Sequence, residues 1–269
     1  MAHIAGKLGN VFIADLLLED CEDDWVDGTN ATSALETADY KVGSGCVAIT
    51  GSGVLAGDIQ AYEQMAATKN LTGYTHILCW AKCTADVAAA DLRLALDDTD
   101  ACASPESLVN LPALTANIWK YCHCAEVGTD PLSDSTVADY IGLEWNANAQ
   151  DKIVYLDDIR AAKDIAGIKS WSLDYTADAL ETTDFADDGT RSYIPGCSGW
   201  SGSFEGYKDG APIGIGTQVG LELAESATVS QMWLGNVIIT GVHPSVSFDG
   251  IVSYSYDFQG TGPLTVAST

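Results

Sequence analysis

Apolar and polar residues alternate with a period of two along much of this chain, most clearly at Trp171-Ser172-Leu173-Asp174-Tyr175. There Trp171, Leu173 and Tyr175 fall on one side and Ser172 and Asp174 on the other, which predicts a half-buried strand. A polar, acidic connection follows from Thr176 to Thr190, and a second run from Ser198 to Tyr207 alternates aromatic with small residues. Val219 to Leu223 and Gln231 to Thr240 predict further strands, and Gly6 to Ala14 reads as a Gly-flanked one. Asp249-Gly250 sits between two alternating runs and predicts a two-residue hairpin turn, because both central positions of such a turn favour φ > 0. After it, Ile251, Ser253, Ser255 and Asp257 share one face, and Val252, Tyr254, Tyr256 and Phe258 the other.

The middle of the chain is also β by pattern. Strands are expected over Tyr74 to Lys82, Asp91 to Asp97, Asn117 to Cys124, Tyr140 to Trp145 and Lys152 to Ile159, with Leu92, Leu94 and Leu96 on one face. Strands this short, separated by turn-rich segments, predict a sandwich or jelly roll. Gly57 to Lys69 is the one stretch that reads as a short helix. The expected fold class is all-β.

With 269 residues, 47% of them apolar and 19% charged, the chain has the composition of a folded protein with real cores. No run approaches 18 apolar residues, so no membrane span is expected, and the first residues do not read as a signal peptide. The formal charge is −26, from 38 acidic and 12 basic residues. That balance argues against binding nucleic acid through its phosphates, which needs clustered Lys and Arg. An acidic wall would let DNA slide past, although solubility alone also suffices as a reason for the charge. Seven of the eight Cys lie before residue 125, and the segment from Asp15 to Arg160 holds 25 acidic and 7 basic residues, a net of −18. Arg160 to Gly167 reads as a short connector before Trp171.

Trp171-Ser172-Leu173, Glu181-Thr182-Thr183-Asp184-Phe185 and Gly199-Trp200-Ser201-Gly202-Ser203-Phe204-Glu205-Gly206 together resemble the major tail tube proteins of long-tailed bacteriophages. Those share a pattern W-S-L … E-T-T-D-F … G-W-S-G-S-x-E-G. The resemblance implies a tube domain of residues 1–14 and 161–269, a β-sandwich that lends a hairpin to a shared barrel. Six subunits would close a ring, and stacked rings would form a hollow tail that conducts DNA at genome ejection. Its implied partners are further copies of itself, a tape measure protein, tail terminator and initiator proteins, and genomic DNA in transit without specific binding. Its implied place is the virion tail, after synthesis in the host cytoplasm. Met1 to Ala5, Pro263 to Thr269 and the loop Thr176 to Thr190 are expected at ring-to-ring contacts.

Residues 15–160 then read as an inserted second domain, carried on the tube exterior. Leu18-Glu19-Asp20 … Trp25, Gly43 to Thr50 and Tyr155-Leu156-Asp157-Asp158-Ile159 resemble, in that order, the landmarks of jelly-roll carbohydrate-binding modules. That resemblance implies a structural Ca²⁺ held by Glu19 and Asp158, and sugar stacking on Trp25, Trp80, Trp119 or Trp145, although a core role is the ordinary one for such residues. Surface glycans are therefore possible partners, and a carbohydrate-binding adhesin or receptor-binding virion protein is the alternative reading of the whole chain.

Cys122-His123-Cys124 is not a zinc motif, since on a strand His123 points away from its two neighbours. Free, buried thiols are the default for the cysteines, with a cross-strand disulfide as the alternative in oxidising surroundings. His3, His76, His123 and His243 are scattered, and the adjacent pairs Asp97-Asp98 and Asp157-Asp158 would face opposite ways on strands. No enzymatic activity is expected.

Overall fold

The computed structural model describes residues 9–128, 131–186, 188–207, 210–226 and 231–268. Within them the chain is all-β, and helical geometry is confined to two 3-10 turns, Asp100–Cys102 and Leu132–Asp134. The chain divides into two units, one made of Phe12–Asp164 and the other of Met1–Val11 with Ile165–Thr269.

Phe12–Asp164 contains most of β1 (Asn10–Glu19), then β2 (Val26–Asp27), β3 (Ala31–Glu36), β4 (Cys46–Gly51), β5 (Asp58–Lys69) and β6 (His76–Cys83). It continues through β7 (Leu92–Asp97), β8 (Ser107–Asn110), β9 (Lys120–Glu126), β10 (Ala138–Trp145) and β11 (Ile153–Asp164). Hydrogen-bonded neighbours follow the order β1-β11-β6-β9-β8-β7-β10-β5-β2, and β4 joins β11 with β3 on its other side. Alternate residues of these strands meet in one core, where Ile77, Cys79, Leu92, Leu94, Leu96, Ile141 and Leu143 are fully buried. Burying such side chains contributes about 1.5–3 kcal/mol each. Phe12 pairs with Asp164, so both ends of this unit lie on one β1–β11 ladder. Next to it, within the other unit, Ile165 N donates to Val11 O at 2.9 Å.

Gly57 to Lys69 is not a helix: Asp58–Lys69 is a strand paired with β10, and Val26 and Asp27 pair with it as well. Its alanines favour helix locally, but ladder partners on both sides outweigh that preference. Two irregularities in the β5–β10 register spoil the strict alternation that would have announced a strand.

The second unit holds β12 (Ile168–Glu181), β13 (Tyr193–Tyr207), β14 (Gln218–Ala224), β15 (Gln231–Ser245) and β16 (Ser253–Ser268). They pair antiparallel in the order β12-β13-β16-β15-β14. β12 continues past Thr176 to Glu181, with Leu180 opposite Ile194, so the connection is shorter than the polar run suggests. The end of the chain is strand as well, with Met232 opposite Ala267. Met1 to Ala5 lie outside the described residues.

Asp249-Gly250 does not make a two-residue turn. β15 ends and β16 begins at the pair Ser245–Ser253, residues 246–252 form the loop, and neither Asp249 nor Gly250 has positive φ. A turn at those two residues would set Tyr256 opposite His243; the observed register sets it opposite Val242 and keeps Tyr256 and Phe258 buried. A one-residue slip changes which side chains meet across the ladder, and apolar matching decides it.

Trp200, from the G-W-S-G run, is the anchor of this core. A Cβ on Gly260 would stand 2.1 Å from its Cε2, and one on Gly235 would stand 2.5 Å from its Cζ2, so the indole lies directly on two bare backbones. Its Nε1 donates to Gly262 O at 3.1 Å, and its ring meets Phe258 edge-on at 6.1 Å. Gly260→Ala is expected to cost about 1–3 kcal/mol by forcing this ring out of place. A thermal midpoint equal to the wild type would show that the seat is not tight.

Candidate functional site

Three buried acids, Glu19, Asp157 and Asp158, lie on the first and last strands of the Phe12–Asp164 unit. Glu19 lies opposite Ile159, one position from Asp158, and the register slips between Asp157 and Arg160. Asp158 takes up this slip with φ 48°, an uncommon conformation for a residue other than Gly. Its Oδ1 accepts from Arg160 Nε at 2.7 Å. Glu19 Oε1 accepts from Cys21 N at 3.2 Å. Burial, assisted by the charges of Asp20, Asp23 and Glu63 and opposed by that hydrogen bond, pushes its carboxyl from 4.5 to about 7.

Asp157, which the sequence reading passed over as one of two adjacent acids, is fully buried. Its Oδ2 accepts from Lys41 N at 2.7 Å and Val42 N at 3.0 Å, while its buried Oδ1 has no hydrogen-bond partner among the described residues. Burial raises this carboxyl to about 6 against the pull of those two amides. Burial, then the charges of Glu19, Asp157 and Asp158, also push the Cys21 thiol far up. A buried carboxylate oxygen without a donor is costly unless a proton or a cation compensates it. The structure thus brings Glu19 and Asp158 onto one ladder and adds Asp157, while Asp158 already shares one oxygen with Arg160.

The aromatic residues are arranged differently from the sugar-stacking expectation. Trp25, Trp80 and Trp145 are buried, which removes them as platforms. Trp119 is half-buried, and its ring is faced by Lys82 Nζ at 5.1 Å and Lys41 Nζ at 5.7 Å. Lys82 Nζ also lies 3.8 Å from the Tyr155 ring centroid and pairs with Asp39, whose Oδ1 accepts from Trp119 Nε1 at 2.8 Å. The protein's own cations cover the rings that a sugar would need.

Cys122 and Cys124 point into the core, while His123 stacks on His76 with ring centroids 4.2 Å apart. Cys79 Sγ lies 3.6 Å from Cys124 Sγ on the neighbouring strand. Cys197 is the exposed thiol among eight.

A different kind of site lies in the second unit. Among the described residues β12 pairs with β13 alone, and β13 pairs with β16 from Ser201 to Tyr207. The stretch Ala177–Glu181 with Tyr193–Ser198 is therefore a two-stranded ribbon, and Leu180, Tyr193 and Ile194 are each 51% exposed on it. Among the described residues, the far edge of β12 carries no ladder partner, and such an edge is a template for another strand. Isolated two-stranded ribbons are marginal in water, so this one calls for a partner.

No family model and no curated protein matches the chain. Among solved structures it is similar, at 18% identity and a TM-score of 0.34, to a chain in the tail of an empty gene transfer agent particle computed with helical refinement in C6 symmetry. That match covers 39% of this chain and 86% of the other. A chain in the virion of a native gene transfer agent particle is similar at 16% identity and a TM-score of 0.33, covering 39% and 88%. The functional assignment therefore rests on this chain's own residues.

The two raised carboxyls set a pH dependence. Each binds its proton more tightly folded than unfolded, so its stabilisation is complete below about pH 4. It is lost as pH rises through about 6 for Asp157 and about 7 for Glu19. In metal-free buffer the thermal midpoint should fall across that window, and Asp157→Asn with Glu19→Gln should flatten the fall. An identical slope in the double variant would show that other groups carry it.

Proposed function

We propose that this chain is a structural subunit of a phage-like tail tube, assembling into stacked rings of six around a channel that conducts DNA. The observation that carries the reading is the β12–β13 ribbon, whose fourteen-residue outer edge has no partner strand among the described residues and which exposes the apolar side chains of Leu180, Tyr193 and Ile194. Pairing with the next copy would satisfy that edge, and head-to-tail pairing that closes makes a ring. The W-S-L, E-T-T-D-F and G-W-S-G-S-x-E-G segments that resemble tail tube proteins lie on or between these two strands. Loop 246–252, with Val246, Phe248 and Ile251 exposed, is a candidate for contacts between rings.

In this reading the Phe12–Asp164 unit is a jelly-roll decoration domain on the outside of the tube, entered and left through adjacent strands as insertions usually are. It has no catalytic role. Its share of the negative charge then faces outward, and the acids of the other unit would repel phosphate in the channel. A calcium ion held by Glu19 and Asp158 would clip its first and last strands together by neutralising buried charge.

Negative-stain microscopy of the purified chain over a concentration series should show hollow tubes or six-fold rings with outward knobs. Leu180→Asp combined with Ile194→Asp should leave a folded subunit that no longer assembles. Dispersed wild-type subunits at every concentration, even with an initiator complex added, would sink the proposal. Separately, chelator should lower the thermal midpoint and calcium restore it, and Glu19→Gln should abolish the response; a wild-type midpoint indifferent to chelator rules the ion out.

A further inference from the structure

Three thiols meet on the core face of the β6–β9 ladder. The register sets Cys79 directly opposite Cys122, and Ile77 opposite Cys124. Residues that face each other across a ladder, or stand two apart on one strand, lie on the same side of the sheet, so Cys79, Cys122 and Cys124 enter the same core. All three are free and fully buried. Cys79 Sγ lies 3.6 Å from Cys124 Sγ, and Cys122 Sγ donates to Lys120 O at 3.4 Å.

Register decides which of these thiols can bridge. Directly opposite residues of an antiparallel pair have Cα atoms about 4.5–5.5 Å apart, inside the roughly 4.4–6.8 Å that a disulfide spans. Cys79 and Cys122 meet that condition where they stand; the bridge needs a rotation that takes Cys122 Sγ off Lys120 O, not a shift of backbone. Cys124 is diagonal to Cys79, and diagonal neighbours stand about 7–8 Å apart, too far to bridge unless the strands move.

An oxidant reaches a core only through local opening. β6 holds β9 from Lys120 to Ala125, whereas β8 pairs with it only at Ala125 and Glu126 among the described residues. The half of β9 that carries Cys122 is thus the less secured half, and opening it costs less than unfolding the unit. Burial pushes the Cys122 thiol far above its ordinary range, so thiolate is scarce and exchange is slow. Slow exchange suits a latch that closes once, not a fast sensor.

We propose that Cys79 and Cys122 form a disulfide that latches β9 to β6 when the protein meets a small disulfide in oxidising surroundings. The thiolate of one cysteine attacks the small disulfide, forming a mixed disulfide and expelling one small thiol. The other cysteine then attacks the protein's own sulfur in that bond and expels the second. Two cysteines are oxidised, one small disulfide is reduced to two thiols, and the cysteine protons end on those thiols. The new link restricts the unfolded chain and so stabilises the unit. The latch is independent of tube assembly.

Incubation of the full chain carrying Cys197→Ala with 2-hydroxyethyl disulfide tests it, the exposed thiol being removed to prevent links between copies. The eight cysteines less Cys197 leave seven thiols, of which five should remain after oxidation, counted in denaturant. Trypsin should then release peptides 70–82 and 121–152 joined. The thermal midpoint should rise by about 5 °C or more, and dithiothreitol should reverse the rise. Both changes should survive Cys124→Ala and vanish in Cys122→Ala, with Cys122→Ser serving if the alanine variant does not fold. Seven thiols after oxidation, a mixed disulfide that goes no further, the same link in Cys122→Ala, or an oxidised midpoint no higher than the reduced one would overturn the proposal.

Discussion

In a chain built of strands, each backbone N–H and C=O within a sheet needs a partner on a neighbouring strand or in water, and that requirement organises this protein. Inside the Phe12–Asp164 unit it is met by an unbroken succession of ladders from β1 to β2, with β3 and β4 closing on β11. In the other unit, among the described residues, the longest edge without a ladder partner is the outer side of β12, and Tyr193–Trp200 of β13 pairs with β12 alone. Natural sheets usually shorten or cover such an edge. Here it runs fourteen residues and carries exposed Leu180, an arrangement that makes sense when another copy completes it.

The same requirement explains the glycines around Trp200. A ring packed flat on a sheet needs neighbours without side chains, and Gly235 and Gly260 supply that on β15 and β16. The G-W-S-G run is thus a packing motif before it is a family mark: Trp200 fixes β13 to the strands beyond it, and β13 in turn holds the ribbon in place. Stability of this small core and presentation of the assembly edge are linked through one residue.

Buried charge is the second theme. Asp157 serves two amides of the segment that covers Trp80 and leaves one oxygen unmatched, while Glu19 is buried among other acids. An acidic chain that buries carboxylates without cations of its own destabilises itself unless protons or a metal compensate. Glu144 repeats the situation in milder form on β10, where solvent still reaches it. Both places follow from a composition with 38 acids and only 12 bases.

The sequence alone determined the fold class, since period-two alternation survives wherever one face of a strand is buried, as at Leu92, Leu94 and Leu96 or at Tyr254, Tyr256 and Phe258. It failed where neither face is buried: beyond Thr176 β12 is exposed on both sides, so no alternation marks it as strand. It also failed where bulges break the period, as in β5, and where cross-strand matching shifts a register, as at Ser245 and Ser253. Glu19 and Asp158 could be named from spacing and resemblance, but Asp157 could not, because its importance comes from Lys41 and Val42, more than a hundred residues away. Nor could a pattern of letters show that Lys41 and Lys82 lie over Trp119. Periodicity records which side of a strand faces a core; only tertiary structure decides which distant groups meet, because that depends on ladder register and on the space left between packed strands.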